Sequence, residues 1–210
     1  MVKTLELAKK LVTAEEYLKM DRIAIREKIG KYELFNQKLI FMPRGTPQHG
    51  ELIMNVGTLL NMQKMQHRTK QRVITDTKVV CLTGYKNYFY PDVFVVEEDV
   101  IFDDEKKDVV TNPVLIVEIL SPESTEGFDR GDKFNEYRQI PTFREYVLVS
   151  QNKKQIDQFY KISDDEWVLK SFEKGVVQLK SMPFELDIDG VYDNIELLPY
   201  PYFDKDESKK

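Results

Sequence analysis

The sequence predicts a single α/β domain, a mixed β-sheet flanked by helices. Three observations carry this. Apolar residues at helical spacing alternate with strand-like runs along the 210 residues. No linker-type stretch interrupts that pattern. One run, VLIVEIL at 114–120, is aliphatic at every position but one, as a central strand covered on both faces should be.

The elements follow in order. Thr13-Ala14-Glu15-Glu16 reads as a capping box that opens a helix through Leu18 towards Met20, within an N-terminal helical segment at 1–30. A hairpin comes next, YELF and KLIFMP joined by a two-residue turn at Asn36-Gln37. Thr46 as N-cap and Pro47 at the first helical position start a long helix. Its apolar face is Leu52, Val56, Leu59 and Leu60, and its end lies near Gln66. RVITDTKVVCL, YFYPDVFVVE and VLIVEIL each read as one strand. A second helix, with Asp129 as its cap, covers DKFNEYRQI and stops before Pro141. EYVLVS, QIDQFYKI and EWVLKSF are further strands, followed by a meander to about residue 190. The main domain is placed at 31–190, with a polar tail at 191–210 ending DKDESKK.

Composition excludes several classes of function. Hydrophobic residues at 41% and aromatics at 11% exclude general disorder. The single cysteine, Cys81, permits neither an intrachain disulfide nor a zinc site built on cysteines. No apolar run reaches the ~18–20 residues of a membrane span. The N-terminus lacks a signal-peptide core, so the expected location is the cytoplasm. Gly-rich phosphate loops, GxSxG and HExxH are absent from the sequence. The net charge of −5 argues against indiscriminate binding to nucleic acid or acidic membranes. That charge is concentrated, however. EEDVIFDDEKKD at 97–108 alone carries seven acids and two lysines, expected as a solvated loop, and the rest of the chain is neutral in sum.

Two carboxylates sit where carboxylates are costly. Glu118 interrupts the aliphatic run, and Asp92 follows Pro91 directly ahead of VFVV. An ionised carboxylate buried without a partner costs several kcal/mol. Two on neighbouring strands are therefore either sharing a cation or each pairing with a basic side chain. Hard oxygen ligands suit Mg2+ or Mn2+, and such an ion polarises a phosphodiester and acidifies an attacking water.

Lys133 and Tyr137, at i and i+4, share one face of the second helix. Packed beside the end of VLIVEIL, that helix could bring the Lys133 ammonium to the carboxylates, to orient or deprotonate water or to steady phosphate charge. Alternatively Lys133 is solvated, its stem covering apolar surface. His49, at the third helical position after Thr46, is either an anion contact or proton acceptor, or part of the helix start. His67 has only basic neighbours and receives no role. Lys64, Arg68, Lys70 and Arg72 form the densest basic cluster, a candidate phosphate contact or an ordinary helix C-terminus favoured by the macrodipole.

Across residues 32–149 the pattern resembles the Uma-two (Uma2) restriction-endonuclease family, within the PD-(D/E)XK nuclease superfamily. The matching pieces are YEL, His49, PDVFVV, VLIVEILSPES, the run Asp129, Lys133, Tyr137, and REYVLV. The resemblance implies a restriction-endonuclease-like core with Asp92 and Glu118 as metal ligands. It adds Glu33 as a further acidic residue from the hairpin and Lys133 as the catalytic lysine, with Asp129 and Tyr137 as support. Leu120 stands where the superfamily's basic pattern has its lysine, two residues after the glutamate; Lys133 is the migrated replacement. Asn36-Gln37 replaces a common Asp-Gly, and Val147 a common aromatic residue.

The expected function is a divalent-metal-dependent DNA endonuclease working as a homodimer. The alternative is a nuclease-fold module that binds nucleic acid or regulates without cleaving.

Overall fold

The structure is a computed structural model that describes residues 11–42, 45–81, 86–103, 105–120 and 126–197. Helix α1, Ala14–Arg26, begins with the expected capping box. Thr13 Oγ1 accepts from the Glu16 amide while the Glu16 carboxylate accepts from the Thr13 amide. Strands β1, Lys31–Phe35, and β2, Lys38–Met42, form the hairpin, with Glu33 opposite Ile40. Asn36 and Gln37 both take positive φ, 48° and 62°, the left-handed pair that matches strand twist in a two-residue turn. Asn87 Oδ1 accepts from the Asn36 amide and pins the turn. Helix α2, Pro47–His67, starts on Thr46, whose hydroxyl accepts from the His49 amide.

Two runs expected as single strands are each broken in two. RVITDTKVVCL divides into β3, Arg72–Thr75, and β4, Lys78–Cys81, because Asp76 turns left-handed at φ 59°. YFYPDVFVVE divides into β5, Asn87–Phe89, and β6, Val93–Val96. Pro91 lies between them and has no amide proton for a ladder. The remaining strands are β7, Val109–Val110, β8, Leu115–Leu120, β9, Glu145–Ser150, β10, Ile156–Lys161, and β11, Trp167–Phe172. A short hairpin of β12, Val176–Gln178, and β13, Glu185–Asp187, precedes the one-turn helix α4, Ile188–Val191.

The two breaks send the strand halves to different sheets. One sheet has the order β2-β1-β5-β4-β7 and the other β11-β10-β9-β8-β6-β3. Both are mixed: β4 and β7 are parallel, as are β8 and β9, and the other pairs are antiparallel. The chain crosses between sheets at Asp76-Thr77 and again at Tyr90-Pro91-Asp92, so Asp92 stands at a junction.

The second helix also departs from expectation. Helix α3 comprises Glu126–Phe128, a π-helical turn Asp129–Lys133, and Phe134–Tyr137. Asp129 lies inside this stretch, and the N-cap expected of it is not formed. π-Turns widen the helix locally and recur at functional sites.

Strand alternation decides what faces what. Leu115, Val117 and Ile119 pack with Leu52, Val56 and Leu60 of α2, whereas Ile116 and Leu120 pack with Phe134 and Tyr137 of α3. Glu118 therefore faces α3. Helix α1 covers the outer face of the other sheet, where its Tyr17 packs with Leu34, Val80 and Tyr88 of β1, β4 and β5. At the opposite end, Val191, Tyr192, Ile195 and Leu197 belong to the core on the α2 side, which draws the first residues assigned to the tail into the domain. No helix among the described residues is long and apolar enough to cross a membrane.

The acidic segment at 97–108 is mostly exposed, but Asp108 is captured. Arg22 donates to both its carboxylate oxygens at 2.9 and 2.6 Å, and buried Lys78 reaches it at 3.2 Å. The Arg22 contact leads in holding the Asp108 carboxyl down to about 2. Since that value lies below the unfolded one, its stabilisation is present above about pH 4 and is lost as pH falls towards 2. Urea midpoints of wild type and Asp108→Asn should differ at pH 7 and converge at pH 2; a gap independent of pH would contradict this.

Candidate active site

Four expected residues converge where β1, β8, α3 and the Tyr90–Asp92 junction meet. Glu33 arrives from the middle of β1, Glu118 from β8 and Lys133 from the π-turn. Asp92 arrives from the chain crossing. Asp92 and Glu118 are locked reciprocally. The Asp92 amide donates to Glu118 Oε2 at 3.2 Å, and the Ile119 amide donates to Asp92 Oδ2 at 2.7 Å. Each backbone thus holds the other carboxylate, setting both side by side at one end of the six-stranded sheet.

The Lys133 ammonium, 4% exposed, lies among three carboxylates: Glu33 Oε1 at 3.0 Å, Asp129 Oδ1 at 3.2 Å and Glu118 Oε1 at 3.5 Å. The Asp129 contact is an ion pair outside hydrogen-bond geometry. Tyr137 donates its hydroxyl to Glu118 Oε1 at 3.1 Å, so the i, i+4 pair does share one target. Tyr146 bonds the Asp129 carbonyl and anchors the π-turn.

Burial is the main influence on these groups. It pushes Glu118 well above the carboxylate range, aided by Asp92, Asp129 and Glu33 and opposed by Lys133. Glu33 is raised for the same reason, against Lys133 and the Tyr90 amide that donates to it. For Lys133 burial pulls down, but Glu118, Glu33 and Asp129 outweigh it and hold the ammonium well above its ordinary value. This favours the charged form of the lysine.

His49 comes to the same place from the first turn of α2. Its Nε2 is 3.0 Å from Asp92 Oδ1. Burial lowers its pKa, but the bond to Asp92 and that carboxylate's charge leave it raised. Gln151, immediately after β9, donates to His49 Nδ1 at 3.2 Å and to the Leu120 carbonyl at 3.0 Å, while Thr46 donates to its Oε1 at 3.2 Å. This fixes Nδ1 as an acceptor and Nε2–H as the group aimed at Asp92. Gly45 leaves room for the ring, since a Cβ there would lie 2.8 Å from it.

Sequence reasoning missed Gln151, and with it Tyr90, whose amide holds Glu33 and whose hydroxyl donates to buried Asp21 at 2.6 Å. Neither interrupts an apolar pattern, so no sequence signal marks them. The basic cluster is not part of this convergence. Lys64 and Arg68 lie at the far end of α2, about 22 Å or more along the axis from His49 at ~1.5 Å per residue. Lys70 pairs with Glu98, and Arg72 opposes Val96 at the other end of β6 from Asp92. Residues 121–125 of the SPES motif lie outside the described residues.

Known proteins resemble this chain in sequence or in fold. The uncharacterized protein sll1609 of Synechocystis sp. (strain PCC 6803) is 34% identical over 160 residues, covering 76% of this chain and 86% of that protein. The uncharacterized protein slr1290 of the same organism is 30% identical over 182 residues, covering 86% and 91%. The crystal structure of "a putative nuclease belonging to DUF820" from Anabaena variabilis superposes with a TM-score of 0.67 at 16% identity. It covers 86% of this chain and 97% of that one, and at that identity it speaks for the fold alone. The Uma2 family model, described as "Putative restriction endonuclease", matches residues 14–189. The chain belongs to the Uma2 family and has a restriction-endonuclease-like fold.

Proposed function

We propose that this protein is a divalent-metal-dependent endonuclease that hydrolyses phosphodiester bonds in DNA. One observation carries the reading: Asp92 and Glu118 are bound to each other's backbone beside the buried Lys133, 3.5 Å from Glu118. Among the described residues no three His, Cys, Asp or Glu side chains gather as a metal cage. Two carboxylates are nevertheless what Mg2+ uses when water and substrate phosphate complete its shell. The local charge also fits. Among the described residues, two potential cations, Lys133 and His49, touch the four carboxylates Glu33, Asp92, Glu118 and Asp129, and a divalent ion would favour the ionised form of Glu118 that burial disfavours.

Asp92 and Glu118 would hold Mg2+ or Mn2+, and the ion supplies Lewis acidity towards phosphate and a more acidic water. In hydrolysis the water oxygen bonds to phosphorus, the bond to one bridging oxygen breaks, and that oxygen takes a proton. Lys133 contributes positive charge beside the developing phosphoryl charge. Glu33, Asp129 and Tyr137 fix Lys133 and Glu118 in place. His49 orients Asp92 through Nε2–H. The cluster Lys64, Arg68, Lys70 and Arg72 would meet DNA phosphates away from the scissile bond, and a homodimer would supply two sites for a double-strand cut.

Supercoiled plasmid should be nicked by the purified protein with Mg2+ or Mn2+, not after chelation, and not by Glu118→Ala. Calorimetric titration with either ion separates the alternatives. Metal binding without nicking would favour the non-cleaving module, and nicking unaffected by Glu118→Ala would overturn the assigned site.

A further inference from the structure

On a strand, residues two apart share a face. Strand β1 presents Phe35, Glu33 and Lys31 in succession on the side turned towards the site. Phe35 packs against Phe89 and Phe128, and Glu33 binds Lys133. Lys31 follows at the outer end of the strand. There a cleft of about 390 Å³ opens, lined by Lys31, Met42, His49, Asp76, Tyr90 and Asp92 among others. Lys31 has no place in the site described above, yet it opens into the same cleft as Asp92 and His49.

The ammonium of Lys31 lies 5.0 Å from the centre of the Tyr90 ring and is ion-paired with Asp76. The two partners are unequal. The Lys31 side chain is 34% exposed, whereas that of Asp76 is 72% exposed. Asp76 sits at the left-handed crossing between β3 and β4, projecting from the cleft rim. An exposed ion pair of this kind is worth little, ~0–1 kcal/mol, so a singly charged phosphodiester oxygen can take the place of the carboxylate at small cost. Lys133 cannot do this, being enclosed by carboxylates. Among the described residues Lys31 is the lysine lining the cleft, and partial burial lowers its pKa only in part, against the opposing pull of Asp21 and Asp92.

We infer that Lys31 is a substrate-binding residue: it leaves Asp76 to contact a backbone phosphate of the DNA strand lying in the cleft beside the scissile bond. This rests on the nuclease reading and deepens it, by giving the strand a path across Tyr90 between the outer end of β1 and the first turn of α2. Asp76 is then a resting partner that competes with phosphate, and the Tyr90 face holds the lysine stem and ammonium in reach during the exchange.

The test measures binding of a short labelled DNA duplex by fluorescence anisotropy across a salt series, with divalent ions chelated so that no cleavage intervenes. Lys31→Gln should weaken binding about ten-fold, as loss of one charge-assisted contact does, and reduce the slope of log K against log salt by about 0.9. Lys31→Arg should restore both. Asp76→Asn, tolerated at a left-handed position, should tighten binding, and the gain should vanish in Lys31→Gln/Asp76→Asn. A purely structural Lys31–Asp76 clip predicts the opposite sign for Asp76→Asn, and that result would overturn the proposal. So would wild-type affinity and slope in Lys31→Gln. Wild type that binds no duplex at any salt would overturn the nuclease reading together with this contact, which distinguishes the two failures.

Discussion

Lys133→Met is expected to lower unfolding free energy by about 3–5 kcal/mol, the scale for removing one partner of a buried ionic cluster. Methionine fills nearly the same volume, so little of this is a cavity effect. The loss comes from Glu33, Glu118 and Asp129, all within 3.5 Å of the ammonium and each about 4% or less exposed. Without it they must either stay charged in a poor solvent or bind protons. Glu33 and Glu118 are already raised by burial, and removing Lys133 raises them further. A carboxylate whose folded pKa exceeds its unfolded one destabilises progressively as pH climbs from the unfolded value, about 4.3, through the folded one. The deficit should therefore be smaller at pH 5 than at pH 8 in urea unfolding. Lys133→Met/Glu33→Gln should recover part of it, because glutamine's carbonyl can still accept from the Tyr90 amide. Plasmid nicking should fall to background in both variants. A deficit below about 1 kcal/mol with no pH dependence would mean that Lys133 does not hold this cluster together.

The contrast between what the sequence reveals here and what it conceals is physical. Glu118 and Asp92 stand out because a charge in an apolar run must be solvated by something, and the chain announces that need without naming the partner. Lys133 and Tyr137 are legible for a second reason, since helical spacing puts i and i+4 on one face wherever the helix sits. The hairpin turn and both long-helix caps are equally local. The place of Asp129 is hard to read for the converse reason. A cap and a buried ion-pair partner both use an aspartate near a helix start, and only the π-turn decides between them. The breaks at Asp76 and Pro91 escaped because each run keeps strand composition on both sides of a one- or two-residue crossing. Gln151 and Tyr90 act across 102 and 57 residues of sequence separation, on His49 and Glu33. Such pairings exist only once the strands are side by side.

Those long-range contacts determine how severe the second large effect will be. Asp92→Asn should cut nicking by about a thousand-fold or more, comparable with losing a principal electrostatic contributor to the transition state, while the fold survives. The side chain is 15% exposed, so the cost of a mismatched amide is about 1–3 kcal/mol. A mismatch is unavoidable. Asp92 accepts on both oxygens, from His49 Nε2 and from the Ile119 amide, and asparagine can accept on only one. His49 cannot adapt by moving its proton to Nδ1, because Gln151 donates there and cannot turn over without losing the Leu120 carbonyl. The imidazole should therefore report the substitution directly. In wild type the Asp92 bond and charge outweigh burial and raise the His49 pKa; in Asp92→Asn burial is left dominant, and the pKa should drop. NMR titration of His49 reads that shift independently of any cleavage assay. Calorimetry should show the heat of Mg2+ or Mn2+ binding lost in the same variant. Nicking retained within ten-fold, or a His49 titration unchanged from wild type, would remove Asp92 from the centre of the site.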